Sequence, residues 1–134
     1  KGLRRVILHV DADGFYAQCE HLRLNIPRDE PLAVQQWEGL IAVNYPARTK
    51  GVRRGTAPAE AARLCPGIHL VHVETAGSKG ASEAPDRART KVDLERYRDA
   101  SRAIFRVLES AAEGSVVEKA GLDEAYVDCT RACE

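Results

Sequence analysis

The stretch "VILHVDADGFYAQCE", residues 6–20, changes its period partway along, and that change constrains the fold more than any other feature. The first part is apolar and β-branched, with Val6, Leu8 and Val10 on one side, which reads as a strand. The second part continues as "GFYAQCEHLRL", a short helix stopped by the two prolines of "NIPRDEP". Asp11 falls on the other face of the strand, at its carboxyl end. Asp13 follows where a side-chain oxygen can cap the first amides of the helix, and that is the role expected for it. A strand that ends in a carboxylate calls for a partner, because an unpaired charge is costly to bury.

The partner is expected more than a hundred residues downstream. "PLAVQQW" and "GLIAV" read as two strands joined by a turn around Glu38 and Gly39. "NYPARTKG" starts a helix, with Asn44 as cap and Pro46 in its first turn. "TAPAEAARL" is another short helix, ended by Cys65-Pro66-Gly67, and "IHLVHV" is a strand. Residues 75–90, "TAGSKGASEAPDRART", have no apolar period and read as a mobile loop. The clearest helix carries Leu94, Tyr97, Ser101, Ile104, Phe105, Leu108 and Ala111 at three- and four-residue spacing, with Asp93 to start it and Gly114 to end it. "SVVEKAGLDEAYVDCT" then gives two strands around the tight "GLDE" turn. This order predicts an α+β fold with a helical insertion.

Asp123 and Glu124 lie where that last hairpin breaks its pattern. If the first strand pairs beside it, Asp11, Asp123 and Glu124 converge at one end of a sheet. Three carboxylates so close repel one another unless a cation joins them. Hard oxygen donors without His or Cys favour Mg²⁺ or Mn²⁺ over zinc, and shared carboxylates suit a two-ion site for in-line attack at phosphorus. Each motif by itself is also ordinary structure, Asp-x-Asp as a helix cap and "DE" as a solvated turn.

Composition narrows the class without choosing it. The 134 residues carry 20 Lys plus Arg against 20 Asp plus Glu, so the net charge is zero, whereas free-standing nucleic-acid binders usually carry a basic excess. Positive charge is nonetheless concentrated in "ARTKGVRRG", with Arg48, Lys50, Arg53 and Arg54 and no acid, a run that a solvated loop also carries. Cys19, Cys65, Cys129 and Cys133 show no C-x-x-C pair and read as buried or reduced thiols of a reducing, intracellular compartment. Apolar runs are too short to cross a bilayer, and no secretory signal opens the chain. The start at Lys1 and the unmarked end predict a piece of a longer protein.

Together "HVDADGFYAQCE", "PLAVQQWEGLIAVNYPARTKGVRRG", "AARLCPGIHLVHV", "KVDLERYRDAS" and "VEKAGLDEAYVD" resemble the Y-family DNA polymerases, and among them the eta type, over nearly the whole chain. The resemblance implies a palm-type mixed or antiparallel sheet with packed helices and a small inserted fingers subdomain. Residues 1–15 would be the first palm strand, 16–92 the fingers and 93–134 a truncated palm, with thumb and little finger absent. It implies that Asp11, Asp123 and Glu124 are catalytic and bind metal, with Ala12 lending its backbone carbonyl. Tyr16 matches the steric gate under the sugar, Tyr45 and Arg48 the triphosphate contacts, Arg54 the finger arginine over the incoming base, and Gln36 a template contact. Gly55, Thr56 and Ala57 would leave room over the nascent pair, as copying across damaged template requires.

The implied cofactors are two Mg²⁺ ions, with Mn²⁺ as a substitute, and the implied partners are primer–template DNA and a dNTP. No membrane is involved; a sliding clamp or other partners would bind through regions outside this chain, and the location would be nuclear. Two departures stand out: Gly121 replaces the family's usual Ser, and the 75–90 loop is long. Glu20 matches a family acid that supports the site without binding metal. The activity implied is templated two-metal nucleotidyl transfer in damage bypass, with little expected of these residues alone. Asp-x-Asp after a strand also suits a metal-dependent glycosyltransferase, and a truncated chain also suits a catalytically incompetent binding or scaffold piece.

Overall fold

A computed structural model describes residues 4–76 and 87–133. The elements are β1 (Ile7–Asp11), α1 (Phe15–Leu24), β2 (Leu32–Gln36), β3 (Gly39–Val43), α2 (Tyr45–Thr49), α3 (Pro58–Leu64), β4 (His69–His72), α4 (Glu95–Ala111), β5 (Val116–Lys119) and β6 (Glu124–Asp128), with a 3₁₀ turn at Arg131–Cys133. The chain is α+β. It divides into two compact units, Gly14–Leu94 and the joined segments Lys1–Asp13 with Glu95–Glu134.

In the Gly14–Leu94 unit, β2 is the central strand, antiparallel to β3 and parallel to β4. Leu32, Ala33 and Val34 are fully buried, as a strand covered on both faces requires. Ala33 joins Leu40, Val43, Ala47, Val52, Ala61 and Cys65 in one core cluster, which packs α2 and α3 on that face. Leu32 and Val34 alternate to the other face, and α1 contacts β2 and β3. The hairpin ladder shifts register between Val34 and Gln35, pairing Val34 with Ala42 but Gln35 with Leu40. Ile41 is the extra residue. That bulge lets Leu40 and Val43, three positions apart, enter the same core, and it re-aims the tip that carries Gln36.

Asn44 holds this unit's corner. Its Oδ1 accepts from the amides of Ala47 at 3.1 Å and Leu32 at 3.0 Å, so it caps α2 as expected and ties it to β2. Its Nδ2 donates to the Glu30 carbonyl at 2.7 Å and to His21 Nε2 at 3.0 Å. His21 Nδ1 donates to the Ile26 carbonyl at 3.0 Å, which fixes the tautomer that receives Asn44. Glu20, also on α1 and fully buried, is ion-paired to Arg23 at 2.7 Å.

In the other unit the sheet order is β1-β6-β5, antiparallel throughout. Ala125 and Val127 are buried on one face of β6. β1 is an edge strand, and its apolar residues are less covered than its pattern predicts: Leu8 is 51% exposed and Val10 37%. The buried stripe of α4 is also narrower than expected. Tyr97, Ser101 and Phe105 are buried, while Ile104 and Ala111 are exposed, because three strands leave little surface for a helix to cover. The start of β1 is clipped by Thr130. Its hydroxyl accepts from the Val6 amide at 3.0 Å and donates to Asp128 at 2.6 Å, and Arg5 reaches the same carboxylate at 2.7 Å.

Residues 77–86 of the loop expected at 75–90 lie outside the described residues; its flanks meet in an isolated antiparallel bridge between Thr75 and Val92. All four cysteines are free; Cys65 is buried, Cys133 is exposed, and the other two are intermediate. Among the described residues, no helix is long and apolar enough to cross a membrane.

Two outcomes are expected. Asn44→Ala strands the buried Leu32 and Ala47 amides and removes a cap, so urea denaturation should show a loss of about 2–4 kcal/mol. The Thr130 hydroxyl, then Arg5 and the Thr130 amide, lower the pKa of Asp128 from 3.8 to about 2. Stability linked to these bonds is therefore present above the unfolded value and lost as pH falls through about 2. NMR titration should show Thr130→Val raising this pKa further than Arg5→Ala does.

Candidate active site

The β1–β6 ladder places Asp11 directly opposite Glu124, with Val10 opposite Ala125 and His9 opposite Tyr126. Facing residues share a side of the sheet, so His9, Asp11, Glu124 and Tyr126 lie on one face while Ala125 and Val127 point into the core. One residue on, the Ala12 amide donates to the Asp123 carbonyl at 2.8 Å. The backbone thus gathers Asp11, Ala12, Asp123 and Glu124 at one strand end.

The hairpin turn is held in place from α4. The buried Ser101 hydroxyl donates to the Leu122 carbonyl, beside Asp123, and receives a hydrogen bond from Lys119 Nζ at 2.9 Å. Lys119 also lies 4.6 Å from the centroid of the Phe105 ring, a cation–π contact. Across the turn, the Ala120 and Gly121 amides both donate to the Glu124 carbonyl, at 2.8 and 3.1 Å. A Cβ on Gly121 would come 3.7 Å from Glu124 Cβ and 3.8 Å from its Oε2, ordinary contact, so a serine fits there.

Carboxylates and a main-chain carbonyl are the hard donors that Mg²⁺ or Mn²⁺ prefers, and in that chemistry the residues fit such a cation. Their side chains do not close round one point: among the described residues, no three His, Cys, Asp or Glu form a group able to hold a metal ion. Glu124 instead gives Oε1 to His9 Nε2 at 2.6 Å, and the His9 ring stacks on Tyr126 with centroids 4.9 Å apart. From sequence, His9 and Lys119 carry no assigned role and Ser101 counts only as part of the α4 stripe. A histidine two positions before Asp11, and a serine on the apolar face of α4, were the available signals. The N-cap position of α1 falls on Gly14 and not on Asp13. Gly14 occupies that position in the left-handed conformation, φ 55°, with no side-chain bond, and its carbonyl receives the Gln18 amide.

In the Gly14–Leu94 unit, Tyr16 lies on the first turn of α1, edge-on to Phe15 at 5.4 Å. Tyr45 is 57% exposed at the start of α2. The Arg48 guanidinium lies 5.0 Å over the Tyr45 ring, and its Nε donates to the Val43 carbonyl at 2.8 Å. These two side chains therefore form one preorganised cationic and phenolic pair. The Ala47 amide is already taken by Asn44, so an anion here would be gripped by side chains. Arg53 turns back to the Arg48 carbonyl at 2.8 Å, leaving Arg54 exposed beside it. Reciprocal bonds, Leu40 amide to Thr56 carbonyl and Gly55 amide to Leu40 carbonyl, clip that loop onto β3. Gln36 pairs with Gly39 at the same end of the hairpin.

The chain is 42% identical over 130 residues to N-acetyltransferase eso1 of Schizosaccharomyces pombe, which covers 94% of this chain and 15% of that protein. It is 41% identical over 135 residues to DNA polymerase eta of Arabidopsis thaliana, 97% of this chain and 18% of that one. It is 40% identical over 131 residues to DNA polymerase eta of Drosophila melanogaster, 94% of this chain and 13% of that one. The chain thus spans less than a fifth of the length of these relatives. The family model "IMS: impB/mucB/samB family" matches residues 10–134, and the chain belongs to that family.

Proposed function

We propose that this chain is the fingers and amino-terminal palm of a translesion DNA polymerase of the eta type. The palm would be residues 1–15 and 93–134 and the fingers 16–92, in a protein that works in the nucleus on primer–template DNA. The reaction is attack of a primer 3′-hydroxyl on the α-phosphorus of a dNTP, with release of pyrophosphate. The observation that carries this reading is the in-register pairing of Asp11 with Glu124, locked by the bond from Ala12 to Asp123. Membership of the family supports it and leaves the glycosyltransferase alternative without support.

Asp11, Asp123, Glu124 and the Ala12 carbonyl would hold two divalent cations, Mg²⁺ or Mn²⁺. Such cations, when bound, supply charge against the triphosphate and lower the pKa of the attacking hydroxyl. The chain's own residues do the rest. Arg48, steadied over the Tyr45 ring and bonded to the Val43 carbonyl, presents a fork suited to phosphate oxygens. The Tyr45 hydroxyl adds a second phosphate contact. The Tyr16 ring excludes a 2′-hydroxyl by collision, selecting deoxynucleotides. Arg54 covers the incoming base, and Gln36 meets the templating base from the same end of the hairpin.

In the full-length protein, Asp123→Ala or Glu124→Ala should lower primer extension on the order of 10³-fold or more, the rate equivalent of several kcal/mol. Circular dichroism should show the fold retained. Extension at the wild-type rate by either variant would refute the assignment. Tyr16→Ala should admit ribonucleotides, read as a fall in the dNTP-to-rNTP ratio of kcat/KM.

A further inference from the structure

His9 lies beside the carboxylates and has no role in the mechanism above. It stands on β1 two residues before Asp11, on the same face, and reaches Glu124 diagonally across the ladder. Its Nε2 is 2.6 Å from Glu124 Oε1. An ionised carboxylate only accepts, so Nε2 carries the proton and donates. The ring has little freedom to leave, because it stacks on Tyr126 at 4.9 Å with 24° between the planes. His9 therefore acts as an oriented donor: Tyr126 sets the plane of the ring, and the ring sets one oxygen of Glu124.

This contact contributes little to stability. The His9 and Glu124 side chains are 49% and 37% exposed, and ion pairs so exposed are worth little. What the bond does fix is direction. With Oε1 held by His9, Oε2 is the oxygen left for a ligand, and it lies toward Gly121, where an added Cβ would come 3.8 Å from it. We propose that His9 is a positioning residue, which orients the Glu124 carboxylate so that Oε2 serves a divalent cation shared with Asp11. The proposal rests on the polymerase reading only in needing a cation at these acids. Donors behind a ligating group commonly change metal affinity about 10- to 100-fold when removed.

The test is Mn²⁺ binding to the full-length protein, followed by the electron paramagnetic resonance signal of free Mn²⁺, with no nucleotide or DNA present. His9→Phe keeps a ring over Tyr126 and removes the donor; His9→Gln keeps a donor and removes the ring. His9→Phe should weaken Mn²⁺ binding about tenfold or more, with an unchanged urea midpoint, and His9→Gln should recover part of the loss. Binding that is unchanged or tighter in His9→Phe, or lost equally in both variants, would overturn the proposal. Asp11→Asn and Glu124→Gln serve as controls. If the wild type binds no Mn²⁺, or both controls bind it as well as the wild type, the cation reading fails and the role of His9 fails with it.

Discussion

The antiparallel pairing of β1 with β6 is the constraint on which the candidate site depends. Residues 11 and 124 meet only because this ladder forms, and its register decides which side chains share a face. A slip of one residue would turn Glu124 toward the core and Ala125 toward the site. Three devices prevent that slip. Burial of Ala125 and Val127 pins the apolar face of β6. Bonds from the Val6 amide to Thr130 and from the Cys129 amide to the Val6 carbonyl close one end of the ladder. The Ala12–Asp123 bond closes the other, next to the turn held by Ser101.

The Gly14–Leu94 unit solves a different problem, that of presenting polar side chains from short elements. A helix of five residues has little stability of its own, so α2 depends on tertiary support. Asn44 supplies it, bonding at once to α2, β2, the Glu30 carbonyl and His21. Tyr45 and Arg48 are placed by that corner. At the far end of β3, the bulge at Ile41 and the clip between Leu40 and residues 55–56 place Gln36 and Arg54. Small core residues, Ala33, Ala47 and Ala61, let the helices approach the sheet closely.

Local signals were readable wherever the reason for a conformation lies within a few residues. The Asn44 cap, the Pro-Gly stop after Cys65, the strand-to-helix change at residues 11–15 and both hairpins were found from propensity and spacing. The differences have separate causes. The pattern offers Asp13 for the cap position that Gly14 holds, because a left-handed glycine competes for that position and spacing cannot weigh the two. The period of β1 marks an apolar side at Val6, Leu8 and Val10, but it cannot show that this side lies on an edge strand and is only partly covered. The stripe on α4 was read too wide, since periodicity shows which residues could be covered and not how much sheet is there to cover them.

By itself the sequence determined the element order, the α+β class and the residue types that could do chemistry, because these follow from propensity, period and donor hardness. The tertiary structure alone decided that Asp11 faces Glu124, that His9 takes one oxygen of that carboxylate, and that a bulge brings Leu40 and Val43 into one core. Register and diagonal contacts arise between segments far apart in the chain, and no local pattern encodes which residue will stand opposite which.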